Sequence, residues 1–129
     1  MTPSRLGLKE IYVHFGVFDF AFYCLVGPYD NVEKYVRWKF EDDETPITTG
    51  SQANYAPRGR FFYRPGYCPI IWIPRNPRTP REYGTLAHEV SHLVIRLMDW
   101  ADIPLGPDSE EAYTHAIGFA VTKILEGVK

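Results

Sequence analysis

The stretch GTLAHEVSHLVIRL carries His88, Glu89 and His92 in the order H-E-x-x-H. On a helix, positions i and i+4 share a face. Two imidazoles can therefore approach one metal ion while the glutamate beside them takes or returns a proton. Zinc suits such a pair, and a zinc ion that activates water keeps three protein ligands and one open position. Two histidines one turn apart can equally be ordinary hydrogen-bonded residues. A third ligand, a buried seat and a cleft are what separate the two cases.

The segment SEEAYTH offers the partner groups Glu110, Glu111 and His115. Glu111 follows His92 by nineteen positions, a separation that a helix end, a reversing loop and a first helical turn can span. Glu111 and His115 are themselves i and i+4 and can face one cleft, whereas Glu110 is rotated from Glu111 by about 100°. Early acidic residues also suit a helix N-terminus without any metal.

HEVSH followed by a glutamate on a later helix, in the pattern EEAYTH, resembles the zincin metallopeptidases and, within them, the glutamate-zincin or gluzincin branch. The resemblance covers roughly residues 60–127. It implies that Glu111, followed by Ala112, is the third zinc ligand beside His88 and His92. His115 stands where better-known members carry an orienting Asp, and its role stays open between support of a ligand, oxyanion stabilisation and ligation itself. The glycine and third histidine of the metzincins are absent. The tail also looks like small H-E-x-x-H proteins encoded in phage and prophage genomes.

The elements that must hold these residues follow from periodicity. Leu86, Val90, Leu93, Val94 and Leu97 form an apolar stripe, with His88, Glu89 and His92 on the other side of a helix expected near residues 79–98. Asp102, Pro104, Gly106 and Pro107 break it, and a second helix is expected near 109–127, capped by Asp108 or Ser109. Upstream, strands are expected around 10–15 and 17–25, with Gly16 permitting a turn or bulge. Val32, Tyr35, Val36 and Phe40 mark a short amphipathic helix after Asp30. Residues 43–59 read as a long surface loop. RFFYRPGYCPIIWIP reads as two strands joined at Pro65-Gly66, the second an edge strand because of Pro69 and Pro74. Its free edge is then a natural floor for an extended peptide.

With 129 residues, 45% hydrophobic and 16% aromatic, the chain can bury one core and is expected to be a single domain. A formal net charge of −2 gives no broad positive field for nucleic acid. The longest apolar run, VFDFAFYCLVG, is too short for a bilayer and no signal-peptide pattern precedes it, so a soluble, cytoplasmic protein is expected. Cys24 and Cys68 are expected to be free thiols. The sum is an α+β domain, a minimal zincin-like unit with a short mixed or antiparallel sheet, an H-E-x-x-H helix and a C-terminal helix carrying the third ligand. The expected activity is zinc-dependent peptide hydrolysis, with Glu89 as base and Tyr83, Tyr113 or His115 as oxyanion donor. Trp72 and Tyr67 belong to the core or line the cleft. The alternatives are a non-catalytic binding protein on the same scaffold and an amidase for a non-protein amide.

Overall fold

The computed structural model describes residues 1–16, 18–42 and 58–129. Its regular elements are β1 (Lys9–Phe15), β2 (Phe20–Val26), α1 (Val32–Lys39), β3 (Arg60–Phe62), β4 (Ile70–Ile73), α2 (Pro80–Trp100) and α3 (Glu110–Gly127). The four strands form one sheet in the order β1-β2-β4-β3. β2 and β4 are parallel, and the two outer pairings are antiparallel. The chain is thus an α+β fold on a mixed sheet. Among the described residues no helix is long and apolar enough to cross a membrane.

Strand alternation divides the core into two layers. Ile11, Val13 and Phe15 of β1, Phe22 and Cys24 of β2, and Ile71 and Ile73 of β4 face α2 and α3. Leu25, Phe62, Ile70 and Trp72 point through the sheet to Val32, Tyr35 and Val36 of α1. Because successive side chains leave opposite faces, β2 and β4 must be apolar on both, and the run IIWI is wholly buried. α1 is also tied across the sheet edge, where Tyr35 Oη donates to Glu10 Oε2 at 2.5 Å and Lys39 Nζ donates to the same oxygen at 2.9 Å.

Three expectations shift. The β1–β2 reversal does not use Gly16 as its left-handed residue: Asp19 takes φ 49°, and the second strand begins at Phe20 instead of residue 17. Val17 and most of the expected loop, residues 43–57, lie outside the described residues. The larger correction concerns β4, which is not an edge strand but lies between β2 and β3. Pro69 and Pro74 flank Ile70–Ile73 without interrupting it, and the Pro69 carbonyl accepts a bond from Tyr23 N at 3.0 Å. Proline removes a donor only where it sits inside the ladder. The turn between β3 and β4 does form as expected, with Gly66 at φ 87° and Tyr67 N bonded to Arg64 O.

α2 has well-made ends. Thr79 and Glu82 form a reciprocal capping box with Pro80 at the first helical position. At the far end Asp102 adopts φ 59°, and its N–H and that of Ile103 bond to Asp99 O and Met98 O, a Schellman closure. α3 starts at Glu110 after Ser109, whose hydroxyl donates to Pro104 O at 2.5 Å and accepts from Gly106 N at 3.0 Å. Ser109 therefore fastens the reversing loop and does not cap the helix.

Candidate functional site

The α2 stripe of Leu86, Val90, Leu93, Val94 and Leu97 is buried, as its spacing predicts, and it fixes the rotation of the helix. His88 and His92 are left exposed on the opposite side. Their Nε2 atoms lie 3.2 Å apart with the ring planes at 84°. Two zinc–nitrogen bonds of about 2.05 Å at the tetrahedral angle separate their donor atoms by about 3.3 Å. The pair therefore fits a shared tetrahedral ion, and the same distance also allows one ring to donate a hydrogen bond to the other. The His92 ring stacks on Phe61 of β3 at 5.8 Å, which sets its orientation. Burial, followed by His88 and Arg96, lowers the His92 pKa and favours the neutral ring.

Glu89 departs from the expected arrangement. It is 7% exposed and lies on the buried flank of the helix, with Oε1 3.9 Å from His88 Nε2. Burial is the largest cause holding its carboxyl above the ordinary range, opposed by the charges of His88 and Arg60. Gly59 explains how the chain passes so close: a Cβ there would come within 2.6 Å of Thr85 Cγ2 and 3.2 Å of Glu89 Cγ. Among the described residues, Arg58, Gly59, Arg81, Gly84, Thr85, His88 and Glu89 line an open cleft of about 440 Å³.

The expected third ligand lies elsewhere. Phe61, Ile71, Cys24 and Ile11 are successive register partners and form one row across the sheet. His92 stacks on Phe61 at one end of that row. At the other end Gly127 packs so tightly on Ile11 that a Cβ would meet its Cγ2 at 2.7 Å. α3 runs along β1, with Phe119 against Phe15 at 4.9 Å and Gly127 against Ile11. Glu111 precedes Gly127 by sixteen residues, about 24 Å at 1.5 Å per residue. The row itself adds three strand spacings, about 14 Å, sideways. Glu111 is 87% exposed and His115 82%, and they pair with each other at 3.2 Å. The fold therefore brings His88, Glu89 and His92 together and keeps Glu111 and His115 apart from them. Among the described residues no group of three or more His, Cys, Asp or Glu is arranged to hold a metal ion.

The expected oxyanion donors also separate. Tyr113 is on α3, and its hydroxyl donates to Ile103 O at 2.8 Å, which ties down the reversing loop. Tyr83 is exposed on α2. Cys24 is buried, a setting that pushes its thiol up to about 12, and Cys68 is half-buried; both are free. Arg81, Gly84 and Thr85 were within reach of helical arithmetic from His88, whereas Phe61 and Gly59 are brought in by strand register, for which the sequence has no local signal.

The start of α2 rests on one carboxylate. Glu82 accepts bonds from Arg75 Nε at 2.5 Å and from Arg78 N and Thr79 N at 3.1 Å. The Arg75 bond, first among these, holds its carboxyl down at about 2 from an ordinary 4.5. A depressed folded pKa stabilises above the unfolded value and is lost as pH falls through the folded one. Glu82→Gln is accordingly expected to lower Tm at pH 7, with the gap to the wild type closing between about pH 4.5 and pH 2. Thermal melts across that range check it, and a gap that stays constant with pH would contradict it.

No protein-family model matches the chain, and neither a curated protein nor a solved structure is significantly similar to it.

Proposed function

We propose that the protein is a zinc-dependent peptide hydrolase whose ion is held by His88 and His92 on α2, on a zincin-like arrangement of helix and sheet. The observation that carries this reading is the 3.2 Å separation of the two Nε2 atoms beside a cleft that Glu89 lines. In this reading the remaining ligand positions belong to groups other than Glu111 and His115. Zinc bound there supplies Lewis acidity toward a carbonyl and a water molecule.

The chain's own residues do the rest. Glu89, recessed beside the pair, accepts a proton from the attacking water and returns it to the leaving nitrogen. Burial suits that task, because a carboxylate held above its ordinary pKa is a stronger base. Phe61 holds the His92 ring through stacking. Among the described residues β3 has β4 as its single strand partner, so its outer edge takes over the peptide-floor role first expected of β4.

The remoteness of Glu111 favours one second reading, a non-catalytic binding protein that uses the same cleft with or without metal. Turnover separates the two. Purified protein is expected to cleave members of a fluorogenic peptide library, to lose that activity on treatment with a zinc chelator and to regain it with one equivalent of zinc. Zinc uptake without cleavage of any library peptide would leave the binding reading in its place.

A further inference from the structure

β1 borders the sheet as a long edge with few of the devices that keep an edge from pairing. Such devices are lysine, proline and bulges. Lys9–Phe15 reads KEIYVHF, contains no proline and pairs with β2 through seven consecutive residues without a bulge. Its one lysine, Lys9, stands at the first position and reaches Lys129 O at 3.4 Å. Among the described residues β2 is the single strand partner of β1. The chain leaves α1 and returns to β3 at the far border of the sheet, with Asp42 Oδ2 3.9 Å from Arg64 Nη1 and Gly59 against Thr85 and Glu89.

The strand is complementary to itself. Antiparallel pairing about Tyr12 sets Lys9 opposite Phe15, Glu10 opposite His14, Ile11 opposite Val13 and Tyr12 opposite its own copy, so that all seven residues pair. Centring on Ile11 or Val13 pairs only five. Both internal bonds to Glu10, from Tyr35 and Lys39, arrive at Oε2, and His14 meets Asp19 through Nε2. Among the described residues these contacts leave Glu10 Oε1 and His14 Nδ1 for the partner strand, an acceptor opposite an imidazole nitrogen, twice by symmetry. Tyr12 is 57% exposed and rests on Tyr23 at 5.2 Å on the β2 side, which leaves its outer flank for the second Tyr12. On the other face Ile11 and Val13 continue the apolar layer under α2 and α3.

We propose that β1 is a homodimer interface, where a second copy of this chain adds antiparallel through Lys9–Phe15 and joins two four-stranded sheets into one of eight strands. The interface lies three strand spacings, about 14 Å, from β3, where Phe61 holds His92. Both histidine pairs therefore stay at the outer borders of the joined sheet, and the dimer does not depend on the hydrolase reading.

Sedimentation equilibrium of the full chain over a concentration series tests the pairing, and the mass is expected to rise to twice that of the chain. His14→Glu sets two glutamates opposite each other at both symmetric places, and Tyr12→Lys sets two ammonium groups at the axis. Each is expected to raise the dimer Kd on the order of tenfold or more. Trp100→Ser, at an exposed residue beside Phe20, is expected to leave Kd unchanged. All three side chains are exposed, so unchanged far-ultraviolet circular dichroism spectra are expected. Hydrogen exchange reads the same interface without substitution: amides of residues 9–15 are expected to exchange more slowly as the wild-type concentration rises, and those of 70–73 are not. A monomer up to millimolar concentration, a Kd unmoved by either β1 substitution, a dimer that Trp100→Ser dissociates, or β1 exchange indifferent to concentration would each overturn the interface.

Discussion

Glu89→Gln is expected to reduce peptide hydrolysis on the order of 10²- to 10⁴-fold, the range that a positioned general base contributes, while zinc stays bound. The substitution removes one function and keeps the shape. Glu89 packs its Cγ against the backbone at Gly59 and is 7% exposed, so a truncation would open a hole, whereas the isosteric amide does not. An amide cannot accept the proton of an attacking water. Its zinc content should match the wild type, because the nearest approach of the carboxylate to the pair is 3.9 Å, from Oε1 to His88 Nε2, and the proposed ligands are the imidazoles. Initial rates on a cleaved peptide, together with metal analysis of the same samples, measure both quantities. A Glu89→Gln protein with wild-type turnover would remove Glu89 as the base.

The helices and their faces are legible in the sequence because their signals are local. The stripe from Leu86 to Leu97 sets the rotation of α2, and Thr79, Pro80 and Glu82 mark its start within one turn. The same stripe puts His88 and His92 outside the core. Edge and centre are not local properties. Pro69 and Pro74 look like edge markers in sequence, yet all four residues between them pair with β2, 47 positions away, and Ile70, Ile71 and Trp72 also pair with β3, 8 to 12 positions away. The two apolar faces of IIWI were the better signal, since only an inner strand covered on both sides buries all four side chains.

The third ligand shows how a motif can be matched in spacing and missed in space. Nineteen positions between His92 and Glu111 suffice for a return, but the return is antiparallel and the helix ends decide what meets what. His92 stands eight residues before the end of α2, and Glu111 is the second residue of α3. Antiparallel helices joined by a short loop bring the start of one to the end of the other, so Glu111 belongs beside the C-terminus of α2, well beyond His92. Exposure agrees, as the Glu111–His115 pair lies in solvent, where such pairs contribute little to stability. Phe61 is the opposite case: nothing near it in sequence points to His92, and only the pairing of β3 with β4 carries it there.

The histidine pair is the centre of the proposal, and its removal has the second of the two largest expected effects. Each imidazole supplies a direct bond to the ion, so His88→Ala and His92→Ala are each expected to weaken zinc binding on the order of 100-fold or more, beyond what loss of a merely supporting group costs. Both side chains are exposed, and the buried face of α2 does not include them, so the variants are expected to fold as the wild type does. Glu111→Ala is the decisive comparison, because a glutamate that served as ligand would give a loss as large as either histidine. The measurement is a competition titration of zinc against a chromogenic chelator for the wild type and these three variants. The expected result is one site in the wild type, lost in both histidine variants and unchanged in Glu111→Ala. Equal zinc affinity in the wild type and both histidine variants would contradict a metal centre on α2.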